Sequence, residues 1–226
     1  MDYLAEIPFT HVELRWERPL IGQANQRTRQ LRGALGNAFR EDTRFHQHDE
    51  NGKVLYRYPP IQYRWYKGYG VIVGWESGAE TLLNLPWLDL ELQFNHDRVI
   101  VTDALINTQQ ARFAVSDILL YYHLVSPILL FSQKNFYNYK TFDPSKQHIE
   151  RERLLIANLL SGFRGLGIHF PTNLYAVFNQ INYCKCHYKG QELLGITGEF
   201  ACNALLPSGF AFGHAVSHGY GWIERK

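Results

Sequence analysis

Cysteine is scarce, at three residues in 226. An odd and small count cannot supply a disulfide framework, and the expectation is a reducing, cytoplasmic setting. CxxC pairs at zinc-finger spacing are absent. Long apolar runs are also missing. The most apolar stretch, Ile118 to Phe131, is broken by His123, Ser126 and Pro127 and falls short of the ~20 residues a bilayer demands. The opening Met1-Asp2-Tyr3-Leu4-Ala5-Glu6 has neither the basic start nor the apolar core of a signal peptide. No membrane partner is expected. Charge of one sign is lacking too: 23 Lys and Arg face 21 Asp and Glu, a net of +2. A polyanionic partner would therefore have to be met by local clustering. Neither a GxGxxG fingerprint nor a Walker A loop occurs, and no acidic cluster could hold paired Mg²⁺. The expectation is no cofactor and no metal.

What is present is core material. Hydrophobic residues make up 46% of the chain and aromatics 15%, which excludes a disordered protein. The length allows two domains of about 100 residues each. Thr10, Val12, Leu14 and Trp16 alternate with His11, Glu13, Arg15 and Glu17, predicting a strand with one buried face. Leu31, Ala34, Leu35 and Ala38 then recur at helical spacing, predicting a helix over 26–40 with Asn25 as its cap. That helix carries Arg27, Arg29, Arg32 and Arg40 and no acidic residue. Short strands are predicted at 54–58, 61–66 and 71–75, a helix at 77–83, and a strand at 87–94. With one short strand more between its helices, this is the β-α-β-β-α-β order of a ferredoxin-like domain. Further on come extended segments at 98–106 and 111–125, a helix over 146–162, and two strands, 174–188 and 193–205, joined by a Lys189-Gly190 turn. A glycine-rich stretch and a short strand close the chain. The fold class is α+β, with domains at 1–108 and 109–226.

Four features can carry chemistry. His46-Gln47-His48 puts two imidazoles on one side of an extended loop. Histidine exchanges protons near neutrality, so such a pair can act as base and acid in cleaving RNA, which brings its own nucleophile, the 2′-hydroxyl. A solvated loop with two chance histidines, or part of a zinc site, are the competing readings. The glycine-rich 207–222, with Gly209, Gly213, Gly219 and Gly221, can bring backbone N–H groups close to phosphate oxygens, or it is a plain inter-strand loop. Cys184 and Cys186 invite a metal guess, but strand alternation makes them core residues. Basic and aromatic residues interleave from Lys53 to Lys67, including Tyr56, Arg57 and Arg64. RNA binders use that mixture, cations for phosphates and rings for unstacked bases.

Leu31-Arg32-Gly33-Ala34-Leu35-Gly36, the His46/His48 pair, and Val54-Leu55-Tyr56-Arg57-Tyr58-Pro59-Pro60-Ile61-Gln62-Tyr63 together resemble the CRISPR-associated repeat-cleaving endoribonucleases of the RAMP superfamily. The subgroup with a dual-histidine site is the nearest in pattern. Lys134-Asn135-Phe136-Tyr137-Asn138-Tyr139 and Leu194 to Phe200, leading into the glycine-rich loop, extend the resemblance along nearly the whole chain. It implies two tandem ferredoxin-like (RNA-recognition-motif-like) halves and metal-independent cleavage of precursor CRISPR RNA within its repeats. The products implied are a 2′,3′-cyclic phosphate and a 5′-hydroxyl. His46, His48 and Tyr56 match the catalytic positions by order. Arg27, Arg29, Arg32, Arg57, Arg64, Lys134 and the four loop glycines are the expected RNA contacts. The loop departs from the family in reading Phe210-Ala211-Phe212-Gly213, without the usual lysine. CRISPR repeat RNA is the implied partner; a second copy of the chain and other effector subunits are the protein partners it allows. A catalytically silent RNA-binding subunit on the same fold, and an enzyme acting on a small molecule, are the alternatives.

Overall fold

The computed structural model describes residues 2–45 and 58–226. The chain forms two compact units. The N-terminal unit comprises Ile7–Ala111 together with Ser217–Gly219; the C-terminal unit comprises the chain up to Glu6, Arg112–Val216 and Tyr220–Lys226. Each is an α+β, ferredoxin-like arrangement of antiparallel strands and helices.

In the N-terminal unit the elements run β1 (Asp2–Arg15), α1 (Ala24–Ala38), β2 (Ile61–Tyr66), β3 (Tyr69–Trp75), α2 (Ser77–Leu83), β4 (Glu91–Phe94) and β5 (Asp97–Ile100), then enter β6 (Asp103–Ile128). The strand order is β2-β3-β1-β6. Alternation along β1 buries Val12, Leu14 and Trp16, which meet Leu31 and Leu35 of α1 in the core. Trp16, Trp65 and Phe94 pack with ring centroids 5.4 to 5.7 Å apart, in the tilted and edge-on geometries aromatic rings prefer. β2 and β3 are joined by Lys67-Gly68, both at positive φ (49° and 86°). A two-residue turn with both central residues there matches strand twist, and glycine adopts it without strain.

The strand predicted at 87–94 is shorter and lies elsewhere. Asp89 at φ 61° interrupts the extension, and only Glu91–Phe94 is strand. It pairs with β5 in a separate two-stranded sheet. The place of fourth strand, beside β1, goes to β6, which takes in the segment predicted at 111–125 and the end of the one predicted at 98–106, whose start is β5. Helix α1 begins at Ala24 with Gln23 in the cap position and no side-chain cap, not with Asn25. The strand predicted at 54–58 lies, but for Tyr58, outside the described residues.

The C-terminal unit adds α3 (Gln133–Thr141), α4 (Pro144–Gly165), β7 (Ala176–Tyr188), β8 (Gln191–Leu205) and β9 (Ile223–Arg225). Its strands order β7-β8-β6, with β9 beside β6. Helix α4 starts earlier than apolar spacing indicates: the Asp143 side chain accepts from the Lys146 N–H at 3.0 Å and Pro144 fills the first helical position. Helix α3 was not expected; Ser132 caps it by accepting from the Asn135 N–H. Where a ferredoxin-like half would carry its second helix, this unit has the glycine-rich stretch. Phe210 there packs on Phe113 and Phe163, and Phe212 on Phe200. Lys189-Gly190 repeats the positive-φ turn (49° and 76°) between β7 and β8.

Candidate functional site

The face of α1 expected to be a uniform strip of arginine is divided three ways. Arg27 turns inward. It donates to the Ile21 carbonyl and to Gln30, and it forms an ion pair with Asp97 at 2.6 Å, with 13% of its side chain exposed. The acid that offsets it comes from β5, seventy residues along. Arg29 is exposed. Arg32 is half-buried, and its Nη1 lies 3.3 Å from His218 Nε2.

A guanidinium has only donors, so a hydrogen bond from Arg32 requires the His218 tautomer with a bare Nε2 and its proton on Nδ1. Nδ1 lies 3.1 Å from Ser217 Oγ. Ser217–Gly219 belong to the same unit as α1. Gly219 sits so near that a Cβ would lie 3.1 Å from both the Thr28 methyl and the Tyr63 carbonyl oxygen. Tyr63 completes the cluster from β2. Burial pushes its phenol well above the ordinary range, against the pull of the Arg32 guanidinium. Its hydroxyl donates to the Phe45 carbonyl at 3.4 Å. Phe45 immediately precedes His46 in the chain. His46, His48, Tyr56 and Arg57 themselves lie outside the described residues.

The glycine-rich segment is mostly fold rather than cradle. The N–H of Gly209 donates to the Ile223 carbonyl at 2.9 Å and that of Gly221 to the Pro127 carbonyl at 3.0 Å. Both glycines are buried, so neither N–H is available to a phosphate. Gly213 is half-buried, at φ 96°, and a Cβ there would lie 3.0 Å from the Leu129 carbonyl oxygen. Gly219, next to His218, belongs to the same unit as Arg32.

Arg64 is a correction. It is 1% exposed, inside the N-terminal unit, where its Nη2 donates to Gln62 at 3.3 Å. From there it cannot meet RNA. Burial first, and then Arg64, lower the pKa of His11. Basic and aromatic interleaving sets Arg64 among RNA contacts, yet every residue from Ile61 to Trp65 is buried. Lys134 is exposed on α3. Cys186 is buried and Cys184 half-buried, their sulfurs 3.8 Å apart. Burial pushes the Cys186 and Cys202 thiols up to about 12, so neither is a thiolate at neutral pH. Among the described residues no three His, Cys, Asp or Glu side chains converge as metal ligands, and no helix is long and apolar enough to cross a membrane.

Sequence reasoning passed over His218. It stands 186 residues from Arg32, and the only local signal was its place in the glycine-rich stretch.

The family model "Cas6b N-terminal domain" matches residues 5–111, and "Cas6b C-terminal domain" matches 114–226. A crystal structure of Cas6b superposes with TM-score 0.83 at 23% identity, over 98% of this chain and 100% of that one. A CRISPR RNA processing endoribonuclease Cas6b does so with TM-score 0.73 at 22% identity, over the same shares. An uncharacterised protein of Methanocaldococcus jannaschii is 28% identical over 147 residues, 65% of this chain and 97% of that protein.

Proposed function

The chain belongs to the Cas6b family, and we propose that it is an endoribonuclease that cuts precursor CRISPR RNA within its repeats. The family match across both halves carries this reading. The Arg32–His218–Tyr63 cluster supports it, because Tyr63 donates to Phe45, the last described residue before the His46/His48 segment in sequence.

The mechanism follows from what RNA supplies. One imidazole of the His46/His48 pair removes the 2′-hydroxyl proton. The 2′-oxygen attacks the adjacent phosphorus, and the bond to the 5′-oxygen breaks. The other imidazole gives that oxygen a proton, leaving a 2′,3′-cyclic phosphate and a 5′-hydroxyl. The phosphorane carries extra negative charge, which a fixed guanidinium such as Arg32 stabilises. Tyr56 is a poor base at pH 7, since a phenol titrates near 10. It serves by orienting a phosphate or a histidine. No step calls for a metal ion.

The test is incubation of the pure protein with the repeat RNA encoded beside its gene, in excess EDTA. Cleavage persists, and a single 2′-deoxy nucleotide upstream of the cut abolishes it without loss of binding. Alanine at His46 or His48 lowers the single-turnover rate by ~10²–10⁴-fold. Activity that dies with EDTA and returns with Mg²⁺ would sink the metal-free mechanism. A double histidine variant that cuts at the wild-type rate would remove the pair from it.

A further inference from the structure

The outward side of α1 carries a stripe at helical spacing: Gln26, Arg29, Gln30, Gly33 and Asn37. Across from it stand Gln93 and Asn95 of the β4–β5 hairpin, and between them runs a groove of about 450 Å³. The whole groove lies within the N-terminal unit. Its walls are firmly held. Leu92 and Phe94 of the hairpin are buried in the core with Leu31 and Leu35 of the helix, and Arg27 ties the two by its ion pair with Asp97. At the tip, the Gln93 amide donates to the Asn95 and Asp97 carbonyls.

Two independent observations point to a ligand. The first is what lines the groove. It has one cation, no carboxylate, and otherwise primary amides with Gly33 and Ala34. A primary amide offers a donor and an acceptor side by side, which complements the edge of a nucleobase. A face built for phosphates alone would be cationic. Among the described residues, the side chains of Gln26, Arg29 and Asn37 have no hydrogen-bond or ion-pair partner.

The second is Gly33. It sits exposed in the interior of a helix, where glycine is the weakest choice apart from proline. A Cβ there would meet nothing within 4 Å, and its φ is not in the left-handed region. Neither packing nor backbone conformation asks for glycine. The missing side chain leaves the helix backbone bare along the groove.

We propose that this groove reads unpaired ribonucleotides of the RNA substrate by their base edges, and that Gly33 is bare so that a base or its ribose can lie against the helix. The inference rests on the RNA-processing reading above. Unpaired nucleotides fit because an A-form duplex closes its major-groove base edges to side chains and pairs its Watson–Crick edges, whereas an unpaired base offers them. Gln26 and Asn37 supply the amide pairs, and Arg29 meets the adjoining phosphate or a guanine edge.

The test uses the full chain and a pool of single-stranded RNAs of randomised sequence, read by sequencing the bound fraction and by fluorescence anisotropy on the enriched motif. The wild type enriches a short motif. Gln26→Ala and Asn37→Ala each lower discrimination at one motif position by about tenfold. The salt dependence of binding stays as it was, because no phosphate contact is lost. Gly33→Ala melts at a higher temperature than the wild type yet binds the motif about tenfold more weakly; Gly33→Leu, which fills more of the groove, binds it more weakly still. A wild type that binds every RNA in the pool alike overturns the proposal. So does a Gly33→Ala protein that is more stable and binds the motif as tightly as before. Both results leave repeat cleavage standing. A wild type that neither binds RNA nor cuts the repeat overturns the RNA-processing reading, and the groove with it.

Discussion

The outer face of α1 and the C-terminal glycine-rich segment both use glycine, to opposite ends. At Gly221 a Cβ would collide with the Phe212 carbonyl oxygen, and the residue sits at φ 70°. The backbone there folds onto itself and tolerates no side chain. At Gly33 a Cβ would touch nothing. Glycine density therefore misleads about ligands. The segment that looks most like a phosphate cradle spends its Gly209 and Gly221 N–H groups on its own carbonyls. Gly33, which neither packing nor backbone conformation explains, stands in a helix. The arginines divide the same way: Arg27 holds the fold, and Arg29, two residues on, has no intramolecular partner among the described residues.

Substitutions can break or sharpen this contrast. The largest effect is expected at Gly221→Ala, which forces both a backbone clash and a left-handed conformation on a residue with a side chain. Urea unfolding should show a loss of about 3 kcal/mol or more. A loss below about 1 kcal/mol would mean that the segment relaxes freely and that its glycines are spare. Next comes Arg27→Gln, which leaves Asp97 without its partner. A loss of about 1 kcal/mol is expected, with the salt dependence of RNA binding unchanged. A salt slope that falls by about one would instead make Arg27 a phosphate contact. Smaller and of opposite sign is Gly33→Ala, a gain of ~0.5–1 kcal/mol in stability from helix propensity alone. The smallest is Arg29→Gln. It should leave stability within ~0.5 kcal/mol while lowering the salt slope of RNA binding by about one, and an unchanged slope would show that this face of the helix meets no RNA.

Local signals were legible in the sequence, and distant ones were not. Alternation at Thr10–Trp16, the helical spacing of Leu31, Ala34 and Leu35, and the Lys189-Gly190 turn each depend on a few neighbouring residues, and the structure has a strand, a helix and a turn there. The strand expected at 87–94 failed because alternation cannot show that Asp89 leaves the extended region, nor that a later strand takes the edge beside β1. Basic and aromatic interleaving could not separate Arg64 inside from Arg29 outside, because both stand among residues of similar type. The Arg32–His218 pair depends on tertiary placement across 186 residues, which no periodicity encodes. The family itself was legible because its motifs follow one another in order along the chain.

The two Lys-Gly turns also bear on how the chain reaches this structure. Tyr66 faces Tyr69, and Tyr188 faces Gln191, each across two residues. Closing so short a loop costs little chain entropy, and hairpins form in microseconds. β1 must wait longer, since Phe9 pairs with Trp75 only after the intervening chain has been gathered in. The two hairpins are thus the expected early structure, one in each half, and β1 closes the N-terminal sheet late. In pulsed hydrogen exchange during refolding, amides of β7 and β8 should gain protection before those of Phe9 to Leu14. The reverse order would mean that long-range pairing, not local turn chemistry, nucleates the fold.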